Sequence, residues 1–354
     1  MKRCLWIAVS CIMVACLFAG CDLWTNGAYH SVEPHMQEDY LPNQYSREFS
    51  TFEELEQILD YMVEHGETSN LLYMRDISTQ QMEGYISVAI GNIKNAHPIG
   101  AYAVDEITYE IGNNAGRWAI SIDISYVHPR SEILCIRDAA NMTEASLIIA
   151  GALDNYEASV VMRIEEYEST DFIQLVQDYV VMNPQSCMEM PQVSANVYPD
   201  RGTERVVELF FSYQTSRDSL RDMQEKVQTV FDSAKLYVSE NAGHWETYSQ
   251  LYAFLMERFD YDVETSITPA YSLLHHGVGD SKAFATIYAA LCRQAGLDCD
   301  VISGTREGQP LHWNVLKVDG TYYYVDLLQC NQRGKFFARQ QNEMNSYVWD
   351  YSQN

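Results

Sequence analysis

The 354-residue sequence predicts an α+β fold: duplicated helix-strand-helix-strand-strand modules, followed by a further α+β segment at the C-terminus. Three observations predict it. Apolar residues recur at i, i+3, i+4 and i+7 in some segments and alternate in others, so helices and strands succeed one another along the chain. The order helix, strand, helix, strand, strand occurs twice, and residues echo between the copies: Arg117-Trp118, Ser125-Tyr126 and Arg130-Ser131 against Arg205-Val206, Ser212-Tyr213 and Arg217-Asp218. Copies of about 90 residues are too long for solenoid units and suit small α+β modules. A composition 47% hydrophobic and 20% charged supplies enough apolar surface for real cores.

The elements follow in order. Met1-Lys2-Arg3 is a basic start, Cys4 to Leu17 is apolar, and Phe18-Ala19-Gly20-Cys21 is a small-residue cleavage site ending in cysteine. This resembles a bacterial lipoprotein signal, although Phe18 stands where Leu is commoner. The resemblance implies that residues 1–20 are removed and that Cys21 is acylated, leaving the folded body lipid-anchored on the extracytoplasmic face of the cell membrane. Residues 21–49 are polar, with Pro34, Pro42, Asn26 and Asn43, and read as a linker. No later segment reaches the ~20 apolar residues that a membrane span requires.

The first module is expected over residues 50–140. Ser50-Thr51-Phe52-Glu53 opens a helix whose Phe52, Leu55, Ile58, Leu59 and Met62 share a face. A strand near Leu71–Met74, a helix near Thr79–Asn95 and strands near Val104–Ile111 and Arg117–Val127 complete it. The second module, 141–218, repeats the order: helix Thr143–Asn155, strand Ala158–Ile164, helix Thr170–Val181 with Phe172, Leu175, Val176 and Tyr179 inward, then strands Val193–Tyr198 and Glu204–Tyr213. From 219 to 354 a helix, a strand and a helix up to Arg258 begin the pattern again and run into the C-terminal domain.

The chemistry-bearing motifs lie there. Gly279-Asp280-Ser281-Lys282-Ala283-Phe284-Ala285 precedes a helix with Phe284, Ile287, Tyr288, Leu291 and Ala295 on its apolar face. Gly296-Leu297, Val301-Ile302-Ser303-Gly304, Trp313-Asn314 and Tyr324-Val325-Asp326 follow. Over about residues 244 to 330 this set resembles the transglutaminase-like domains of the papain-like cysteine enzyme superfamily. The family's catalytic Cys falls at Ser281, four residues before Ala285 and fifteen before Gly296. Its general-base His, two residues before the Trp, falls at Leu311, with His312 one residue late and, by strand alternation, on the opposite face. The carboxylate that orients the family's His falls at Asp326.

A cysteine at a helix N-terminus is activated because its thiolate forms near neutral pH, whereas a serine needs a general base within hydrogen-bond reach. Read without the family, Asp280 and Ser281 are helix caps, His312 is a strand histidine and Asp326 ends a strand. The leading expectation is therefore a surface-anchored lipoprotein whose transglutaminase-like domain is non-catalytic and recognises a peptide or protein, with Trp313, Asn314 and Tyr324 as cleft walls. One alternative is a serine-dependent acyl hydrolase or transferase using Ser281, His312 and Asp326, or borrowing His275 or His276. Another is a structural spacer.

A net charge of −26 excludes nucleic acid as an expected partner, because a basic patch is the footprint it requires. No cofactor or metal site is expected: Glu257, Asp260, Asp262 and Glu264 lack the glycine and ligand spacing of a calcium loop. Beyond Cys21, the body keeps Cys135, Cys187, Cys292, Cys299 and Cys330, an odd set that leaves at least one thiol unpaired. Cys292 lies three turns from Ser281 and cannot replace it.

Overall fold

In the computed structural model, residues 48–262 and 269–349 are described, so the expected signal, Cys21 and nearly all of the linker lie outside the described residues. The first module comprises β1 (Glu48–Phe49), α1 (Phe52–Glu64), β2 (Ser69–Met74), α2 (Thr79–Asn95), α3 (Pro98–Ala103), β3 (Val104–Asn114), β4 (Arg117–Tyr126) and the short α4 (Arg130–Ile133). The second comprises β5 (Arg137–Asn141), α5 (Met142–Asp154), β6 (Ser159–Glu166), α6 (Phe172–Met182), β7 (Gln192–Tyr198) and β8 (Arg205–Ser212). The C-terminal region comprises α7 (Arg217–Tyr237), α8 (His244–Arg258), β9 (Asp260–Tyr261), α9 (Pro269–His276), β10 (Val278–Gly279), α10 (Ser281–Gln294), β11 (Cys299–Arg306), β12 (Gln309–Val318), β13 (Thr321–Val325), α11 (Leu327–Gln332), a 3₁₀ turn at Gln341–Glu343 and β14 (Tyr347–Trp349).

The mixed α+β class is as expected, and the two modules share one topology. Their sheets run β1-β2-β4-β3 and β5-β6-β8-β7, each with the first pair parallel and the others antiparallel. Two strands depart from the expected segments. Glu48–Phe49, at the end of the expected linker, pairs with Tyr73 and Met74. Arg137–Asn141, which straddles the expected boundary at 140/141, pairs with β6 and so opens the second sheet. No strand separates α7 from α8, because Leu220, Val227, Phe231 and Ala234 keep helical spacing and the helix continues to Tyr237.

Local chemistry fixes the helix starts. The Thr51 hydroxyl accepts from the Glu54 amide, while the Glu54 carboxylate accepts from the Ser50 amide and hydroxyl. Ser78 and Gln81 form a reciprocal capping box at α2. Each such cap contributes about 1 kcal/mol. Behind them, Leu55, Ile58, Leu59 and Met62 meet Met82, Ile86, Ala89 and Ile93 in the first core.

The second module buries its own core on the inner face of its sheet, through Val160, Met162, Ile164, Val207, Leu209 and Phe211. Its outer face packs on the first module. Val206 joins the first core, with Val161 and Tyr198 against it. Tyr102 of α3 meets Tyr198 edge-on at 5.6 Å, and Arg163 pairs with Glu64 at 3.1 Å.

In the C-terminal region α10 is the hub: every residue from Ala283 to Cys292 is buried. A helix apolar all round must be covered all round. Residues of α7, α8 and α9 and the inward face of the antiparallel sheet β13-β12-β11-β14 share its core. Among the described residues no helix is long and apolar enough to cross a membrane.

Candidate functional site

Asp280 caps α10 by accepting the Ala283 amide at 2.8 Å. Just before it, β10 runs parallel to β9, with Gly279 opposite Tyr261. A Cβ at Gly279 would lie 2.9 Å from the Ala283 Cβ and 3.1 Å from the Leu273 Cβ, so this entry to the helix requires glycine. Ser281 follows, and its Oγ accepts the backbone N–H of His312 at 3.2 Å. That amide lies beyond the end of β13, whose last partner on β12 is Asn314. Ser281 thus satisfies a donor that the sheet leaves open.

Ser281 and His312 are therefore neighbours, but through the His312 main chain. The ring shares the α10 side of β12 with Asn314, which donates to the Ala285 carbonyl at 2.8 Å, and with Leu316 and Val318 of the core. Burial lowers the His312 pKa from the usual histidine range, the Lys282 charge lowers it further, and Asp280 opposes both. Among the described residues no hydrogen bond joins the imidazole to Ser281. His275 and His276 are exposed at the end of α9, where both rings pack on Tyr271.

The opposite face of the sheet carries Leu311, Trp313, Val315, Ile302, Tyr324, Tyr347 and Trp349 in a second apolar cluster. Trp313 and Asn314 are 0% exposed and Tyr324 is 7% exposed, so the three expected cleft walls are interior residues. Trp313 is closed in edge-on by Tyr347 and Trp349, at 5.2 and 5.6 Å. Gly304 permits this: a Cβ there would come within 2.5 Å of the indole and 2.3 Å of the Val348 carbonyl.

Asp326 lies apart from Ser281's hydrogen bond and has three partners of its own. Oδ1 accepts the Gln329 amide at 3.0 Å, capping α11, while Oδ2 accepts from Arg306 Nη1 at 2.6 Å and from the Tyr347 hydroxyl at 2.8 Å. Burial works against the Arg306 charge, yet Asp326 and Tyr347 outweigh it and raise the guanidinium's pKa. Burial, then Asp326, pushes up the Tyr347 phenol. Tyr261, 42% exposed, has its phenol raised by burial and then by Asp280, with Arg306 opposing. Its ring therefore senses both the Ser281 end of α10 and the Arg306–Asp326 pair.

Arg306 and Tyr347 were not among the residues the sequence singled out. For Arg306 a signal existed: Glu307-Gly308, with φ of 54° and 80°, is a two-residue hairpin turn. Counting back from that turn pairs Arg306 with Gln309 and Gly304 with Leu311, which puts Arg306 on the Leu311 face. Tyr347 arrives from the far C-terminus, opposite Arg306, without a local motif. All five body cysteines are free, with Cys135 exposed and the others buried. Burial pushes Cys187 up to about 12 and Cys330 to about 11.

Residues 233–330 match the Transglutaminase-like superfamily, so the chain carries a transglutaminase-like domain. No curated protein matches the chain. Among solved structures it is similar to a TGase, at 10% identity over 54% of this chain and 58% of that one, with a TM-score of 0.28. It is similar to a proposed cysteine protease from Cytophaga hutchinsonii, at 9% identity over 45% and 70% of the two chains and a TM-score of 0.27. A proposed protease from Parabacteroides distasonis gives 10% identity over 60% and 47%, with a TM-score of 0.24. The chain spans 58% of that TGase's length.

Proposed function

We propose that this chain is an extracytoplasmic lipoprotein, anchored through Cys21, whose transglutaminase-like domain is non-catalytic and serves peptide or protein recognition. One observation carries the non-catalytic part: the Asp326 carboxylate that would orient a general base is already held by Arg306 and Tyr347. The apolar Leu311 stands at the family's base position and the Ser281 Oγ accepts a backbone amide, and among the described residues no imidazole is hydrogen-bonded to it to take its proton. Recognition falls to the partly exposed rim around Tyr261 and Arg306 and not to Trp313, Asn314 or Tyr324. The shared strand order of the two preceding modules supports reading them as copies of one unit that present this domain.

The test is labelling of the lipid-free protein with a fluorophosphonate serine probe beside Ser281→Ala. No labelling of either protein is expected; labelling that disappears in Ser281→Ala would establish the serine-dependent hydrolase instead. Anchoring is tested separately, by incorporation of a fatty-acid analogue in cells, which Cys21→Ala should abolish.

A further inference from the structure

The joint between the first two modules contains a histidine used in an unusual way. His97 is the N-cap of α3, and the cap is made by its ring: Nδ1 accepts the Gly100 amide at 3.0 Å. Helix N-caps ordinarily use an oxygen, which accepts at any pH near neutrality. A ring nitrogen accepts only while it is unprotonated, because both nitrogens of an imidazolium are donors. Here the neutral ring must carry its proton on Nε2, and that atom faces Asp60 at 3.9 Å and Glu64 at 3.8 Å.

The helix so capped holds the joint. Tyr102 is 3% exposed, stacks on His128 at 4.1 Å and meets Tyr198 of β7 edge-on. Gly100 lets α3 press against α2, since a Cβ there would fall 2.2 Å from the Ile93 carbonyl. We propose that His97 is a protonation-sensitive clasp: neutral, it caps the helix that fastens the first module to the second, and protonated, it releases that helix.

Charged groups approach the ring from α1 and from the second module. From α1 come Asp60 and Glu64, with Glu56 near Asp60; from the second module come Arg163, itself paired with Asp138 and Glu64, and Glu204. On the far side of α3, His128 pairs with Glu132, and Glu208 lies near Tyr102. Burial lowers the His97 pKa, Glu64 opposes and Arg163 adds to the lowering. The folded value lies below the unfolded one, so the neutral ring's contribution is complete above the ordinary value of 6.5 and is lost as pH falls through it towards the folded value. Asp60 has the opposite sign. Burial and neighbouring carboxylates raise it from 3.8 to about 6, so its unfavourable charge is relieved as pH falls from about 6 towards 3.8.

Hydrogen exchange of the full-length protein, read by mass spectrometry on peptides covering residues 97–103, separates these effects. Protection, corrected for intrinsic exchange, should fall on the order of ten-fold between pH ~7.5 and pH ~5 in the unmodified protein. In His97→Asn, whose amide oxygen caps at both pH values, protection should not fall towards pH ~5, and relief of the Asp60 charge can only raise it. His97→Ala should show low protection at both. Asp60→Asn should keep the pH-dependent loss. Protection unchanged by pH in Asp60→Asn, where no opposing carboxylate remains at position 60, would overturn the proposal, and so would a loss in His97→Asn equal to that of the unmodified protein, which would assign the effect to His128 or the carboxylates.

Discussion

Strands β4 and β8 occupy the same place in two sheets of the same order, yet their sequences read differently. In β4, Ala119 and Ile120 are buried together, and from there Ile122 and Ile124 are buried while Ser121 is half-buried and Asp123 and Ser125 are exposed, so the alternation holds from Ile120 onward. In β8, the run Val206-Val207-Glu208-Leu209 is buried without a break. Register shows that these are equivalent positions: Leu72 pairs with Ile120 and Ser69 with Asp123, as Met162 pairs with Val207 and Ser159 with Phe210. The inner faces are alike. What differs is the middle of the outer face: Ala119 and its equivalent Val206 are both buried, and Asp123 and Phe210 both exposed, but Ser121 is half-buried where Glu208 is buried, on a face that packs on the first module. Loss of alternation in β8 is therefore the sequence trace of a contact between modules. Even Glu208, 7% exposed, has a partner there, accepting from Asn196 at 3.2 Å.

The largest expected effect breaks that contact. Val206→Asp places an unpaired carboxylate in the first core and should cost on the order of 4 kcal/mol, lowering the denaturation midpoint followed by near-UV circular dichroism. If Val206→Asp is instead tolerated, the outer face of the second sheet is not covered in solution and the modules are independent.

The C-terminal sheet offers a second contrast, between an inward face of Asn314, Leu316 and Val318 and an outward face carrying the Asp326 network. Arg306→Met should cost about 3 kcal/mol, because it strands an Asp326 side chain that is 2% exposed. Arg306→Lys, keeping charge but not the planar fork, should recover part of it. A negligible cost for Arg306→Met would mean that Tyr347 and the Gln329 amide alone hold the carboxylate. Ser281→Ala should cost less, about 1 kcal/mol, by leaving the half-buried His312 amide without its acceptor.

Much of this was legible beforehand. The bounds of α2, Thr79–Asn95, are written in the sequence, and those of most other elements of the two modules to within a few residues, because capping residues and apolar periods are local signals. The two strands that open the sheets are not, since Glu48–Phe49 is too short to show a period and Arg137–Asn141 reads polar at all but its alanines. At the site, Ser281, Leu311 and Asp326 could be placed by spacing, but their partners could not. Arg306 and Tyr347 reach Asp326 through strand pairing, which is long-range information. Trp313 and Tyr324 suit either a groove or a core because they are aromatic, and only the pairing of β14 beside β11, which brings Tyr347 and Trp349 onto their face, decides which; Asn314 is buried on the other face, against α10.

The smallest effect is the one that sharpens the first comparison most. Asp123 lies on the open face of β4, in a row with Ser69 and Thr108, and its carboxylate makes no hydrogen bond or ion pair among the described residues. Asp123→Val should change stability by no more than about 0.5 kcal/mol, since a surface position away from caps and networks has little to lose, and valine suits a strand better than aspartate. Set beside Val206→Asp, this variant asks whether equivalent strands differ because of what covers them. A cost above about 1 kcal/mol would mean that the first sheet's outer face is also engaged, and the alternation in β4 would then have to be explained by a polar interface and not by water.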